Sequence, residues 1–144
     1  MVKFTVYIDG INGTGKTTVI SELKKDCKYS TIDFRDRSPL TQLTFYYNDD
    51  LPHKLSDDLY IILDANVETC RQRIINHCSD NNIPNNDTFQ QESDLFMFRY
   101  RYHQLAVKYV LHLIDTTNLS IKEVCDSVRI IIEDYLREIS FRDK

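Results

Sequence analysis

Residues 3–18 read KFTVYIDGINGTGKTT, and the fold follows from them. Lys3 to Asp9 is rich in β-branched and aromatic residues, and its apolar run stops at an acid and a glycine, as a strand buried in a parallel sheet does. Gly10 to Thr17 then fits the pattern GxxxxGK[ST] at every fixed position. Lys16 to Lys25 continues with Val19, Ile20 and Leu23 on one helical face and basic residues in the last turn. A fortuitous glycine-rich turn would lack this context of strand, loop and helix. Here the glycines let successive backbone N–H groups turn inward around an anion, the helix N-terminus adds partial positive charge, and Lys16 adds a full one. Thr17 would offer its hydroxyl to Mg2+. Asn12, Gly13, Thr14, Gly15, Lys16, Thr17 and Thr18 are thus the candidate residues for the phosphates of ATP, and nucleotide binding is the first functional conclusion.

Working outward, Tyr29 to Phe34 is a short strand, and residues 39–47 (PLTQLTFYY) suit a short helix that opens on proline. Asp58 to Asp64 (DLYIILD) is a second apolar strand ending in an acid. Val67 to His77 places Val67, Cys70 and Ile74 on one helical face. A polar, asparagine-rich loop follows at 79–88. Phe89 to Tyr109 spaces Leu95, Phe98, Tyr102, Leu105 and Tyr109 by three and four, the spacing of a long amphipathic helix. Val110 to Asp115 is the last strand, and Ser120 to Arg137 the last helix, with Ser120 as its cap and Glu123 three residues on. Strands alternating with helices predict an α/β fold, a parallel sheet with helices on both faces.

At 144 residues the chain is long enough for one sizeable core, and residues 1–144 read as a single domain. Hydrophobic residues at 42% and charged residues at 28% exclude a disordered or fibrous chain. A net charge of −4 gives no field that would draw the whole chain to duplex nucleic acid or to an anionic membrane. The N-terminal apolar stretch is too short to span a bilayer, so the chain is read as cytoplasmic, with no membrane partner. Cys27, Cys70, Cys78 and Cys125 form no CxxC pair and complete no zinc spacing with the histidines. They read as buried reduced thiols.

The segments IDGINGTGKTT, RDRSP, DLYIILDANVETCRQRI, DTFQQESDLFMFRYRYHQLAVKY and LIDTTNLSIKEV stand in the order found in thymidylate-kinase-like nucleoside monophosphate kinases. The chain resembles that family over nearly its whole length. The resemblance implies a three-layer P-loop kinase fold with a reduced sheet of four parallel strands in the order 2-1-3-4, an edge strand having been lost. It implies that Asp36 assists Mg2+ and that Arg37 holds the acceptor phosphate, a task suited to the planar guanidinium fork. Arg35 is a second candidate there. Arg73 stands on the helix leading to the lid, and 79–88 takes the lid position without an Arg or Lys, so Arg71, Arg73, Arg99 or Arg101 would supply its charge. Thr116, Thr117 and Asn118 match the loop that family members place against adenine. A homodimer is a further implication. Asn12 departs from the acid common at its position, and only Ser21 to Arg35 separates the phosphate loop from Asp36-Arg37, a shortened middle. Phe45, Tyr46 and Tyr47 are either a substitute base platform or core aromatics.

Three activities fit. The first is a phosphotransferase moving the ATP γ-phosphoryl group to a deoxynucleoside monophosphate, with Lys16, Arg37 and Arg73 as its catalytic cations and Asp9, Arg35, Arg37, Tyr46 and Arg99 around the substrate. In the second the acceptor is a hydroxyl of a nucleoside, a nucleic-acid end or a modified base. Asp36-Arg37-Ser38 also resembles the acid-Arg-Ser segment of deoxynucleoside kinases, and Asp9, Asp33 or Asp36 would act as the base. Nucleic acid enters only as such an acceptor. The third is a nucleotide-binding module without catalysis.

Overall fold

A computed structural model describes residues 4–40, 58–81 and 92–142. Strand β1 (Phe4–Asp9) is followed by helix α1 (Lys16–Lys24), a 3-10 turn (Cys27–Tyr29), β2 (Ile32–Arg35), β3 (Leu59–Asp64), α2 (Val67–Asp80), α3 (Glu92–Lys108), β4 (His112–Asp115) and α4 (Ile121–Arg142). All four strands are parallel, in the order β2-β1-β3-β4 that the sequence predicts. The architecture is a three-layer α/β fold, a four-stranded parallel sheet between helical layers.

The unbroken apolar run of β3 has a simple cause: both faces of the strand are covered. Leu59, Ile61 and Leu63 join Val6 and Ile8 of β1 in a core shared with Val19, Ile20 and Leu23 of α1 and Val124, Val128 and Ile132 of α4. The alternate residues Tyr60 and Ile62 face Val67, Cys70, Ile74 and Cys78 of α2 and Leu95, Phe98, Tyr102 and Leu105 of α3. Side chains alternate along a strand and recur every three or four residues along a helix, so each helix presents one apolar stripe to one face of the sheet. Tyr7 and Tyr60, paired across β1 and β3, stack at 4.9 Å between ring centroids.

Several boundaries shift from the sequence reading. Tyr29 belongs to the 3-10 turn, which Asp26 caps by accepting from Lys28 N at 3.0 Å, and its hydroxyl donates to Glu133 of α4 at 3.0 Å. Helix α2 runs three residues past His77 to Asp80, so the first two positions given to the lid are helical. Residues 82–88 of the lid, and Phe45, Tyr46 and Tyr47 of the suggested helix and base platform, lie outside the described residues. Helix α4 begins with the expected reciprocal cap, Ser120 N donating to Glu123 Oε1 at 3.0 Å and Glu123 N to Ser120 Oγ at 3.2 Å. It continues to Arg142, because 138–142 contain no breaker. Of the cysteines, Cys70, Cys78 and Cys125 are buried thiols while Cys27 is exposed. Among the described residues, no helix is long and apolar enough to cross a membrane.

The end of α3 corrects another expectation: Val110 and Leu111 belong to its closing turn, not to the last strand. Leu111 N donates to Ala106 O at 2.9 Å and Val110 N to Val107 O at 3.3 Å, with Val110 in the left-handed region at φ 53. That position ordinarily takes glycine, because a Cβ there crowds the backbone. Val110 is 89% exposed, so no packing is lost on replacing it. Val110→Gly is expected to stabilise the protein by about 1 kcal/mol, relief of left-handed strain exceeding the added chain entropy. A urea-denaturation midpoint unchanged or lowered in the variant would contradict this.

Candidate active site

The site lies where the C-terminal ends of β1 and β3 meet the first turns of α1 and α2. The chain's three glycines all fall in the loop after β1, and all have positive φ. At Gly13 (φ 87) the loop lies against the first turn of α2, so that a Cβ would come within 2.5 Å of Cys70 O and 2.9 Å of Cys70 Cα. At Gly15 (φ 94), which leads into α1, only Ile121 Cδ1 at 3.5 Å would meet a Cβ, so conformation alone requires glycine there. Lys16 folds back over the loop and donates from Nζ to Gly10 O at 2.6 Å. Its burial holds the ammonium below the ordinary lysine range, opposed by Asp9 and Asp36 and reinforced by Arg37.

Three hydrogen-bonded clusters frame the loop. In the first, Asp9 is 1% exposed at the end of β1, and its carboxylate accepts from Gly10 N at 3.0 Å, Tyr102 Oη at 2.7 Å and Ser38 Oγ at 2.5 Å. Ser38 Oγ in turn accepts from Leu40 N at 3.1 Å. This network ties α3 and the Asp36-Arg37-Ser38 segment to the root of the phosphate loop. Burying a carboxylate is costly unless donors surround it, and removing one donor should cost about 1.5–3 kcal/mol. Tyr102→Phe keeps the ring and deletes that donor, so its unfolding free energy should fall by that amount. A change within about 0.5 kcal/mol, the range of a surface substitution, would contradict it.

In the second cluster Arg73 is a clamp. Its Nη1 donates to Gly13 O at 3.2 Å and Thr116 Oγ1 at 3.0 Å, and its Nη2 to Thr116 O at 2.7 Å. Thr116, buried behind β4, donates from its hydroxyl to Asp64 O at 2.9 Å, with Thr14 O 3.3 Å away. One guanidinium thus joins the phosphate loop, α2 and the loop after β4. In the third cluster Asp64, 4% exposed at the end of β3, receives Arg99 through two bonds, at 2.9 and 3.0 Å, and lies 2.9 Å from His103 Nε2. The hydrogen bond to Asp64 holds the Arg99 guanidinium in its charged form more firmly than usual.

Two cavities meet at Thr17. One, of about 620 Å³, is lined by Asn12, Gly13, Gly15, Lys16, Thr17 and Thr18 of the loop and first turn, by Arg73, Ile74 and His77 of α2, and by Ile121 of α4. The other, of about 440 Å³, is lined by Thr17, Ile20, Lys24, Phe34, Arg35, Asp36 and Arg37. Asp36 and Arg37 are exposed, and neither forms an ion pair among the described residues.

The sequence-predicted residues therefore divide. Asn12, Gly13, Gly15, Lys16, Thr17, Thr18 and Arg73 share the first cavity, and Arg35, Asp36 and Arg37 the second. Arg35 is engaged on the surface by Asp33 at 2.8 Å. Thr14 and Thr116 turn inward: Thr14 Oγ1 donates to Ile11 O at 2.9 Å, and Thr116 serves the Arg73 clamp. Thr117 donates its hydroxyl to Asp115 at 2.6 Å, which with its N–H holds that carboxyl below the usual range, while Asn118 is exposed. Asp9 and Arg99, placed near substrate by the sequence reading, are held by protein partners. No site role had been read for Asp64, His77, His103, Ile121 or the Tyr102 hydroxyl. Asp64 carried a signal, since β3 ends in an acid just as β1 does. Burial pushes the Cys70 thiol up to about 11, which leaves no ready nucleophile under the loop. No group of three or more His, Cys, Asp and Glu side chains that could hold a metal occurs among the described residues.

No protein-family model matches the sequence, and no curated protein matches it. Solved structures do match the fold. The YorR protein of Bacillus subtilis, solved in complex with phosphorylated GDP, superposes with a TM-score of 0.64 at 13% identity, over 90% of this chain and 95% of that one. Deoxyadenosine kinase from M. mycoides with bound dATP gives 0.62 at 17% identity, over 90% of this chain and 100% of the other. Thymidylate kinase from Candida albicans gives 0.65 at 12% identity, over 92% of each chain. At these identities the likeness is one of fold.

Proposed function

We propose that the protein is an ATP-dependent phosphotransferase that moves the γ-phosphoryl group onto the phosphate of a deoxynucleoside monophosphate. The observation that carries this reading is the pair of cavities meeting at Thr17, one floored by the phosphate loop and Lys16, the other bearing the guanidinium of Arg37, which has no ion pair among the described residues. A donor triphosphate on the loop and an acceptor phosphate against Arg37 would face each other across Thr17, the arrangement that in-line transfer needs. The oxygens of Thr17 and Asp36, exposed in one cavity, suit the hard cation Mg2+. When bound, it would neutralise charge on the phosphate oxygens. The solved neighbours include a thymidylate kinase, which supports the reading.

A phosphate acceptor needs anion-binding groups more than a base, and the carboxylates bear on that choice. Both Asp9 oxygens accept hydrogen bonds, and Asp33 is paired with Arg35. One observation favours the second reading, a hydroxyl acceptor: Asp36 stands beside Arg37 without an ion pair among the described residues, where a base would be needed. The deoxyadenosine kinase neighbours support that alternative.

The deciding experiment incubates the protein with Mg2+ and γ-labelled ATP against deoxynucleoside monophosphates, nucleosides and short oligonucleotides. Label passing to one monophosphate is the expected result. Label appearing only on nucleosides or DNA ends would select the hydroxyl acceptor, and ATP binding without transfer would select a non-catalytic module.

A further inference from the structure

We infer that His77 donates a hydrogen bond from Nε2 to a terminal phosphate oxygen of the nucleotide held on the loop. This rests on the nucleotide-kinase reading and names the group that meets the phosphates from the α2 side.

Transfer of a phosphoryl group needs donors on more than one side of it, and Lys16 serves only the loop side. Of the arginines around the expected lid, Arg101 does not line the donor cavity, and the other three are placed as follows. Arg73 uses both terminal nitrogens to join Gly13 and Thr116, so turning it toward a ligand would unfasten the loop it supports. Arg99 is held by both oxygens of Asp64. Arg71 lies on another side of α2, where it lines a separate hollow with Glu68, Gln72 and Ile75. His77 remains. It stands four residues beyond Arg73, hence on the same helical face about 6 Å further along, and it lines the donor cavity with Lys16 and Thr17.

The ring also has a neighbour at its other nitrogen. Asn81 Nδ2 donates to His77 O at 2.8 Å and lies 3.3 Å from Nδ1, the contact in which Nδ1 accepts and the proton sits on Nε2. Nε2 has no partner among the described residues. An N–H at Nε2 is the donor that a phosphate oxygen requires.

The test compares Mg-free AMP and ATP affinities by calorimetry in the wild-type protein and in His77→Ala and His77→Gln, with circular dichroism confirming that each variant folds. The expected result is a loss of about tenfold in ATP affinity for His77→Ala, the loss of one hydrogen bond to a charged group. AMP affinity should change less than about twofold, and His77→Gln, which restores an N–H, should recover part of the loss. Equal losses for ATP and AMP would overturn the assignment by placing His77 at the base or sugar, and an unchanged ATP affinity would overturn it outright. Failure of the wild-type protein to bind ATP would overturn the kinase reading as well, a result visible before any variant is made.

Discussion

Replacing Lys16 with alanine is expected to lower phosphoryl transfer to any acceptor by about 10²–10³-fold, the loss that follows removal of one preorganised donor at a developing charge. The ammonium is held over the loop by one bond to Gly10 O, and burial makes its charge costly without an anion. A phosphate on the loop would supply that anion, so the lysine's charge is stabilised most when substrate is present. The fold should survive, because the substitution removes the bond to Gly10 O but leaves the loop's contacts with Arg73 and with α2 in place. The measurement is kcat for label transfer, paired with a urea-unfolding curve for each protein. Transfer within about threefold of wild type would remove Lys16 from the mechanism. A collapse in stability would instead make its role one of folding.

Gly13→Ala should show the largest effect on the fold. Two costs add: a left-handed backbone of about 1–2 kcal/mol for any residue with a Cβ, and a Cβ only 2.5 Å from Cys70 O, which lies in the backbone of α2 and cannot turn aside. The expected total is about 3 kcal/mol or more, a loss comparable to removing a large core side chain. Gly15→Ala is the internal control. It shares the positive φ but has open space, so it should lose only the conformational part. Equal unfolding free energies for the two variants would show that the loop does not rest on α2 as described.

Much of this was legible in residue order. The strand-loop-helix run at 3–18 located the phosphate cradle because backbone freedom, helix dipole and lysine act within a few neighbouring residues. The parallel sheet followed from alternating elements, and its strand order from the resemblance to thymidylate-kinase-like kinases. The clusters around the loop were not legible. Arg73 reads as an exposed helical arginine until the chain brings Gly13 and Thr116, 60 and 43 residues away in sequence, to its guanidinium. Tyr102 occupies a core position in the helical pattern, and nothing in that pattern distinguishes its hydroxyl from a phenylalanine hydrogen until Asp9 lies 2.7 Å away. Local signals thus found the loop, while contacts distant in sequence assembled the groups that steady it. The boundary shifts had local causes too, such as the cap at Asp26 and the closing turn at Val110.

The sheet has short margins. Strands β2 and β4 have four residues each and form its two edges among the described residues, and both present charge outward: Asp33 and Arg35 on one, Asp115 on the other. An unpaired edge is a template for another chain, and shortness with alternating charge is how such a margin resists zipping onto a second molecule. The Asp33–Arg35 pair, too exposed to add much to the stability of the fold, therefore contributes to colloidal behaviour: it works against growth of the sheet, strand by strand, into an aggregate.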